Sequence, residues 1–252
     1  MLPTWADAIP GTESDARRGL EDACDAVGGR SSWLGLPAVT AALTDTWSRA
    51  ARAWRPPTPE GAARFTVHFE QDKARIDFAD PAATCWGHDS REGWTASKGS
   101  RTYADAHHAE RVVPTLKWFA AMPHKLLDPG VEARLWRPRG VDPASPTDVQ
   151  VLVRFGTEGG RTGDRMMATL RRADRRLIRL AYTARAFGEN IVGMAEYVAW
   201  SEVDGVLLPS EVMVGLHAPA PIARAQHIRF EGWTVAPVPA SFFEKPPERP
   251  QP

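Results

Sequence analysis

The sequence predicts a mainly β fold of the α+β kind: one large curved antiparallel sheet of about eleven or twelve strands, with helices only near the start and in the middle. Three observations carry this. Short segments in which apolar and polar residues alternate recur from residue 64 to residue 235. The pair Asp204-Gly205 separates two of them, and both central residues of a tight hairpin turn need positive φ. Helical periodicity is confined to two regions, which favours one sheet over two independent units. Residues 1–252 are therefore read as a single domain, with flexible tails at 1–13 and 245–252.

Residues 15–27 read as an amphipathic helix, with Leu20, Cys24 and Val27 at helical spacing, Ser14 as N-cap and Gly28-Gly29 as the stop. The stretch 39–54 is ambiguous. Val39, Leu43, Trp47, Ala50 and Trp54 fit a helix, whereas Thr40, Thr44 and Thr46 fit a long twisted strand. After the stiff Pro56-Pro57-Thr58-Pro59, Phe65, Val67 and Phe69 alternate with Arg64, Thr66, His68 and Glu70, the signature of a half-buried strand. Residues 73–79 put Ile76 and Phe78 on one face, and 83–88 pairs with 93–98 around Asp89-Ser90-Arg91-Glu92, giving two hairpins. Residues 105–122 are helical in pattern, but Pro114 lies inside, so a kink or two short helices is expected. Strands resume at 132–136, 149–155, 165–170, 177–183, 194–202, 206–214 and 222–235.

Composition narrows the function. The chain has 252 residues, 31 Lys+Arg against 31 Asp+Glu, and 43% hydrophobic residues. Zero formal charge offers no electrostatic grip on nucleic acid, so no nucleic-acid partner is expected. No apolar run approaches the ~18 residues of a spanning helix, so no transmembrane segment is expected. Two cysteines make neither a disulfide framework nor a four-thiolate zinc site. The ten tryptophans stand out against three tyrosines. Indole is large and amphipathic, so these rings must fill a core, line a cavity or face something apolar.

Motifs with chemistry are sparse. His107-His108, between Asp105 and Glu110, is the densest set of metal-ligand types, yet adjacent helical residues point about 100° apart and cannot share one ion unaided. A solvated helix start capped by Asp105 is the expected role. The stretch 156–163 is glycine-rich but lacks the Lys-Ser/Thr pair and following helix of a phosphate loop. There is no nucleophile elbow, and neither Cys24 nor Cys85 sits in an electropositive setting. Arg171, Arg172, Arg175, Arg176 and Arg179 concentrate positive charge on one hairpin, where a solvated edge that discourages aggregation is expected. No catalytic residue, metal or cofactor is assigned, and the protein is read as a non-enzyme.

Several local motifs, in order along the chain, resemble the LolA/LolB-like lipoprotein-carrier superfamily and its uncharacterised bacterial members. They are Val27-Gly28-Gly29 with Trp33, the Pro123 to Gly130 segment, Val203-Asp204-Gly205-Val206-Leu207-Leu208-Pro209, and Phe242-Phe243-Glu244-Lys245-Pro246. The resemblance implies an unclosed antiparallel half-barrel whose mouth is covered by helices over an apolar cavity. It also favours strand for 39–54, because such folds run from the first helix into a long first strand. The implied function is non-enzymatic: binding or carrying a lipid or lipoprotein acyl chain, as a monomer. Periplasmic location is implied, although residues 1–11 show no leader pattern, and a cytoplasmic location is the alternative. The expected cavity wall is Phe65, Val67, Phe69, Trp94, Trp118, Phe119, Trp136, Val151, Val153, Met166, Trp200 and Met213, while Trp33, Trp47 and Trp54 pack the opening elements. The alternative function is a protein-interaction or envelope-maintenance module whose helices fill the space. An enzyme using His107 and His108 is the least favoured.

Overall fold

In the computed structural model, which describes residues 2–56, 58, 62–80, 84–97, 106–137, 147–155, 165–183, 191–218 and 220–245, the chain begins with α1 (Glu13–Asp25) and α2 (Arg30–Leu34). Strand β1 (Val39–Trp47) follows, then a 3₁₀ segment, Arg49–Trp54. The ambiguous stretch is thus strand for its first nine residues and a tight helical turn for its last six. Next come β2 (Ala63–His68), β3 (Lys73–Phe78), β4 (Cys85–His88) and β5 (Gly93–Ala96), and then α3 (Ala106–Ala120). The second half is β6 (Val131–Trp136), β7 (Asp148–Phe155), β8 (Arg165–Arg171), β9 (Leu177–Thr183), β10 (Val192–Val203), β11 (Val206–Ala218) and β12 (Ala220–Val235).

All twelve strands join one antiparallel sheet in the order β5-β4-β3-β2-β1-β12-β11-β10-β9-β8-β7-β6. Each half is a meander, and β1 meets β12 at the centre. The sheet is open, with β5 and β6 as its edges, so the fold is the half-barrel that the sequence predicts. Because β5 and β6 are consecutive in the chain but lie at opposite edges, α3 carries the chain between them. On the way it packs against β5, β4 and β3 and reaches β11. Helix α1 covers the other side, against β6 and β7.

Pro114 does not divide α3, which is one helix of 15 residues. Proline inside a helix costs about 3 kcal/mol. Ala109, Val112, Val113, Leu116, Phe119 and Ala120 are all buried, and the four larger side chains contribute roughly 1.5–3 kcal/mol each when fully buried. Packing therefore outweighs the missing hydrogen bond.

The hairpin β10-β11 turns at Asp204 (φ 49) and Gly205 (φ 78), as the Asp-Gly pair predicts. Its tip anchors the first helix: the Leu207 N–H donates to the Val27 carbonyl at 3.0 Å. A Cβ on Gly28 would stand 2.6 Å from the Gly205 carbonyl oxygen, so this junction is closed to any side chain.

The open edge at β6 is partly occupied by the chain's own start, read from the sequence as a tail. The Ile9 N–H donates to the Leu135 carbonyl at 2.9 Å, the Leu135 N–H donates to Thr12 Oγ1 at 3.1 Å, and Leu2 is buried. Trp5 is in cation–π contact with the guanidinium groups of Arg134 and Arg154, at 4.8 and 4.7 Å from the ring centre. Pairing of this kind blunts an edge that would otherwise recruit another strand. The residues 246–252, the glycine-rich stretch 156–163 and Asp105 lie outside the described residues.

Candidate functional site

On the inner face of the sheet the alternation is set by β1, where Val39, Ala41 and Leu43 enter the core. Continuing it brings Asp45 and Trp47 to the same face beyond the packed centre. Register then places Gln226 opposite Trp47, and Val214 opposite Gln226. A second row runs Met166, Tyr182, Gly193 and Leu216 across β8 to β11. The middle of the inner face is filled, with Phe65 against Phe230 and Trp233 at 5.5 and 6.3 Å between ring centres. Toward the ends of these rows it is not.

A cavity of about 660 Å³ remains between α3 and the sheet. Its sheet side is formed by Asp45, Trp47, Phe155, Met166, Tyr182, Thr183, Val214, Leu216, Ala225 and Gln226. Helix α3 supplies the roof through Val112, Pro114, Leu116, Trp118 and Phe119, with Lys117 among them. Trp33, Phe69, Asp72, Lys125 and Asp128 complete the wall. The size falls within the ~300–1,000 Å³ usual for small-molecule sites.

Gly193 gives this wall its shape. A Cβ there would lie 2.3 Å from Tyr182 Cζ, so the absence of a side chain lets the tyrosine ring lie across β10. Trp118 meets that ring edge-on at 5.6 Å, and Phe119 does so at 6.1 Å. Burial pushes the Tyr182 hydroxyl well above its ordinary pKa. It stays neutral.

The polar groups form two sets. In the first, Lys117 donates to the Asp72 carbonyl at 2.6 Å and pairs with its carboxylate at 2.9 Å. Lys125 pairs with Asp128 at 2.5 Å, and Arg30 reaches the same carboxylate at 2.8 Å. Burial lowers the Lys117 pKa, and Asp72 opposes the shift. In the second, Asp45 accepts from Gln226 Nε2 at 2.9 Å and from Trp47 Nε1 at 3.2 Å. Burial raises its carboxyl pKa against these hydrogen bonds. Beside the first set, His124 is fully buried, stacked on Trp33 at 4.7 Å, and neither of its ring nitrogens has a hydrogen-bond partner. Burial, with Arg30 nearby, brings its pKa down to about 3.

Of the twelve wall residues expected from the sequence, Phe69, Trp118, Phe119 and Met166 border the cavity. Phe65, Val67, Val151 and Val153 are fully buried in the packed part of the core. Trp200 stacks on Tyr197 at 5.6 Å and lies off the wall. Three others face away. Met213 is opposite Glu196 and His227, between the inward Val212 and Val214. Trp136 follows the inward Leu135 and is opposite Gln150. Trp94 shares a row with Gly87 and Arg75, on the face opposite Phe65, Ile76 and Trp86. There its Nε1 donates to the Phe243 carbonyl at 3.1 Å, and Arg75 stacks on Phe242 at 4.3 Å. The returning C-terminal segment, a 3₁₀ turn at Ala240–Phe243, therefore buries a second apolar patch on the outer face. Trp33 and Trp47, expected only to pack, reach the wall. So do Tyr182, Asp45 and Gln226, which sequence reasoning missed. The alternation begun at Val39 contains the signal for Asp45 and Trp47 once this segment is read as strand.

His107 is exposed, and its ring lies 6.0 Å from that of His108, which in turn faces Trp86 at 6.4 Å. Among the described residues no group of three or more His, Cys, Asp or Glu is placed to hold a metal ion. Cys24 and Cys85 are buried free thiols, and burial raises the Cys24 pKa to about 12. No described helix is long and apolar enough to cross a membrane.

Comparison with solved structures finds a LolA superfamily protein from Nitrosomonas europaea at TM-score 0.52 and 11% identity, over 91% of this chain and 97% of that one. The chain has the LolA-like fold. A domain described as an outer membrane lipoprotein-sorting protein, from Vibrio parahaemolyticus, aligns at TM-score 0.48 and 12% identity, over 86% of this chain and 92% of that one. No protein-family model matches the sequence, and neither does any curated protein. In this fold the cavity under α3 is a feature, among the described residues, with room for a ligand.

Proposed function

We propose that this protein is a non-enzymatic carrier that binds a lipid or a lipoprotein acyl chain in the cavity beneath α3. The observation that carries the reading is the space itself. About 660 Å³ is left unfilled between the helix and the sheet, and most of its wall is aromatic or aliphatic. Each methylene transferred from water to such a wall contributes about 0.8 kcal/mol, so a chain of a dozen carbons is held firmly without charge. Met166 and the Trp118 and Tyr182 rings suit a flexible chain, because thioether and aromatic faces accept varied apolar contacts. The LolA-like fold supports the same reading. The self-packed module, the competing view, requires helices that close the space. Periplasmic location and a monomeric state go with the carrier reading.

Native mass spectrometry of the purified protein, with solvent extraction, tests this. A retained hydrophobic ligand, or saturable uptake of an added fatty acid, is expected. A protein that is ligand-free and refuses the added chain would contradict the proposal.

A further inference from the structure

We infer that the ligand of this cavity carries a cationic, ammonium-type head group, and that Asp45 receives it. This rests on the carrier reading and refines it. The argument begins with how the charges of the wall are matched. Asp72 and Asp128 are held by Lys117, Lys125 and Arg30 at 2.5–2.9 Å. Asp45 has no such contact: its two hydrogen bonds come from the neutral Gln226 amide and the neutral Trp47 indole, and the cation that acts on it, Arg55, does so without an ion-pair contact among the described residues. A carboxylate offers about four acceptor directions, and two are used here.

Its cross-strand partner is the fully buried Ile228, and Trp47 follows two residues on along the same face of β1. An ionised carboxylate in such company is poorly solvated, and a counter-charge from the ligand would stabilise it. An ammonium group does so directly. A fatty-acid carboxylate would instead meet a like charge. With the head group at Asp45, the chain has Trp118, Tyr182 and Met166 to lie against.

The test is competition at neutral pH. A neutral fluorescent naphthylamine probe is bound to the full chain and displaced by dodecylammonium or by dodecanoate, both below their micelle-forming concentrations. Wild-type protein is expected to release the probe at an about tenfold lower concentration of the amine than of the carboxylate. In Asp45→Asn, which keeps the size and one acceptor, that preference is expected to shrink to within about threefold. Equal displacement by the two in the wild type, or a preference that survives in Asp45→Asn, overturns the assignment and leaves the carrier reading standing. Failure of probe and both amphiphiles to bind overturns both. The wild-type comparison decides the question of head-group charge even if the variant does not fold.

Discussion

Tyr182 and Gly193 act as one unit of shape, so the smallest change at the glycine tests the wall. In Gly193→Ala the added methyl group sits within 2.6 Å of two ring atoms and the hydroxyl oxygen of Tyr182, so the ring must shift. The variant is expected to lose about 1–3 kcal/mol of stability and to bind the probe more weakly, read by thermal melting and titration. Unaltered probe affinity in a folded variant would show that the ligand does not touch this ring. His124 makes a second prediction. Its pKa is lowered to about 3 in the folded chain, against 6.5 as the ordinary value. Below pH 6.5 the unfolded chain takes up a proton that the folded chain refuses, so stability is complete above that pH and falls as pH drops toward about 3. The slope approaches about 1.4 kcal/mol per pH unit. His124→Phe keeps a ring against Trp33 and removes two unpartnered nitrogens. Denaturant melts of this variant should lose that part of the acid sensitivity, and an unchanged pH profile would contradict the buried-neutral account. Neither feature is legible in the sequence, because a glycine and a histidine acquire these roles only from neighbours that are distant along the chain.

The junction between α1 and the β10-β11 hairpin offers a contrast at the scale of elements. Gly28 and Gly205 both have positive φ, but nothing lies within 4 Å of a Cβ on Gly205, whereas one on Gly28 meets backbone at 2.6 and 2.9 Å. Gly205→Ala is expected to cost about 1 kcal/mol, the conformational term alone. Gly28→Ala is expected to cost clearly more, because backbone must separate from backbone and the Leu207 to Val27 hydrogen bond is strained. Equal losses in chemical denaturation would mean that the helix does not lean on the hairpin. Elements were the most legible level of the sequence. The Asp-Gly turn and the alternations of β2, β3 and β12 follow from local chemistry and appear where predicted. Helix α3 was less legible, because a proline rule that is correct for an isolated helix yields to burial along a whole face. The faces of Met213, Trp136 and Trp94 differ from the sequence expectation for a related reason. Hydrophobicity marks a residue as buried, but cross-strand register decides which side of the sheet buries it. For Trp94 the outer face is covered by Phe242 and Phe243, which return from the far end of the chain.

At the scale of the molecule, the crossing helix leaves part of the sheet's concavity unfilled, and the proposed carrier function rests on that space. Six of the ten tryptophans show the division: Trp33, Trp47 and Trp118 border the cavity, Trp86 and Trp233 fill the inner core, and Trp94 seals the outer face. The neutral composition fits the proposed carrier, whose ligand would be held mainly by apolar shape. The most direct measurement uses the three bordering indoles as donors. A fatty-chain amphiphile bearing a fluorophore that absorbs tryptophan emission is titrated into the protein. The carrier account predicts saturable energy transfer at one equivalent, reduced in Gly193→Ala. Transfer that rises without saturation, or does not occur, would contradict it.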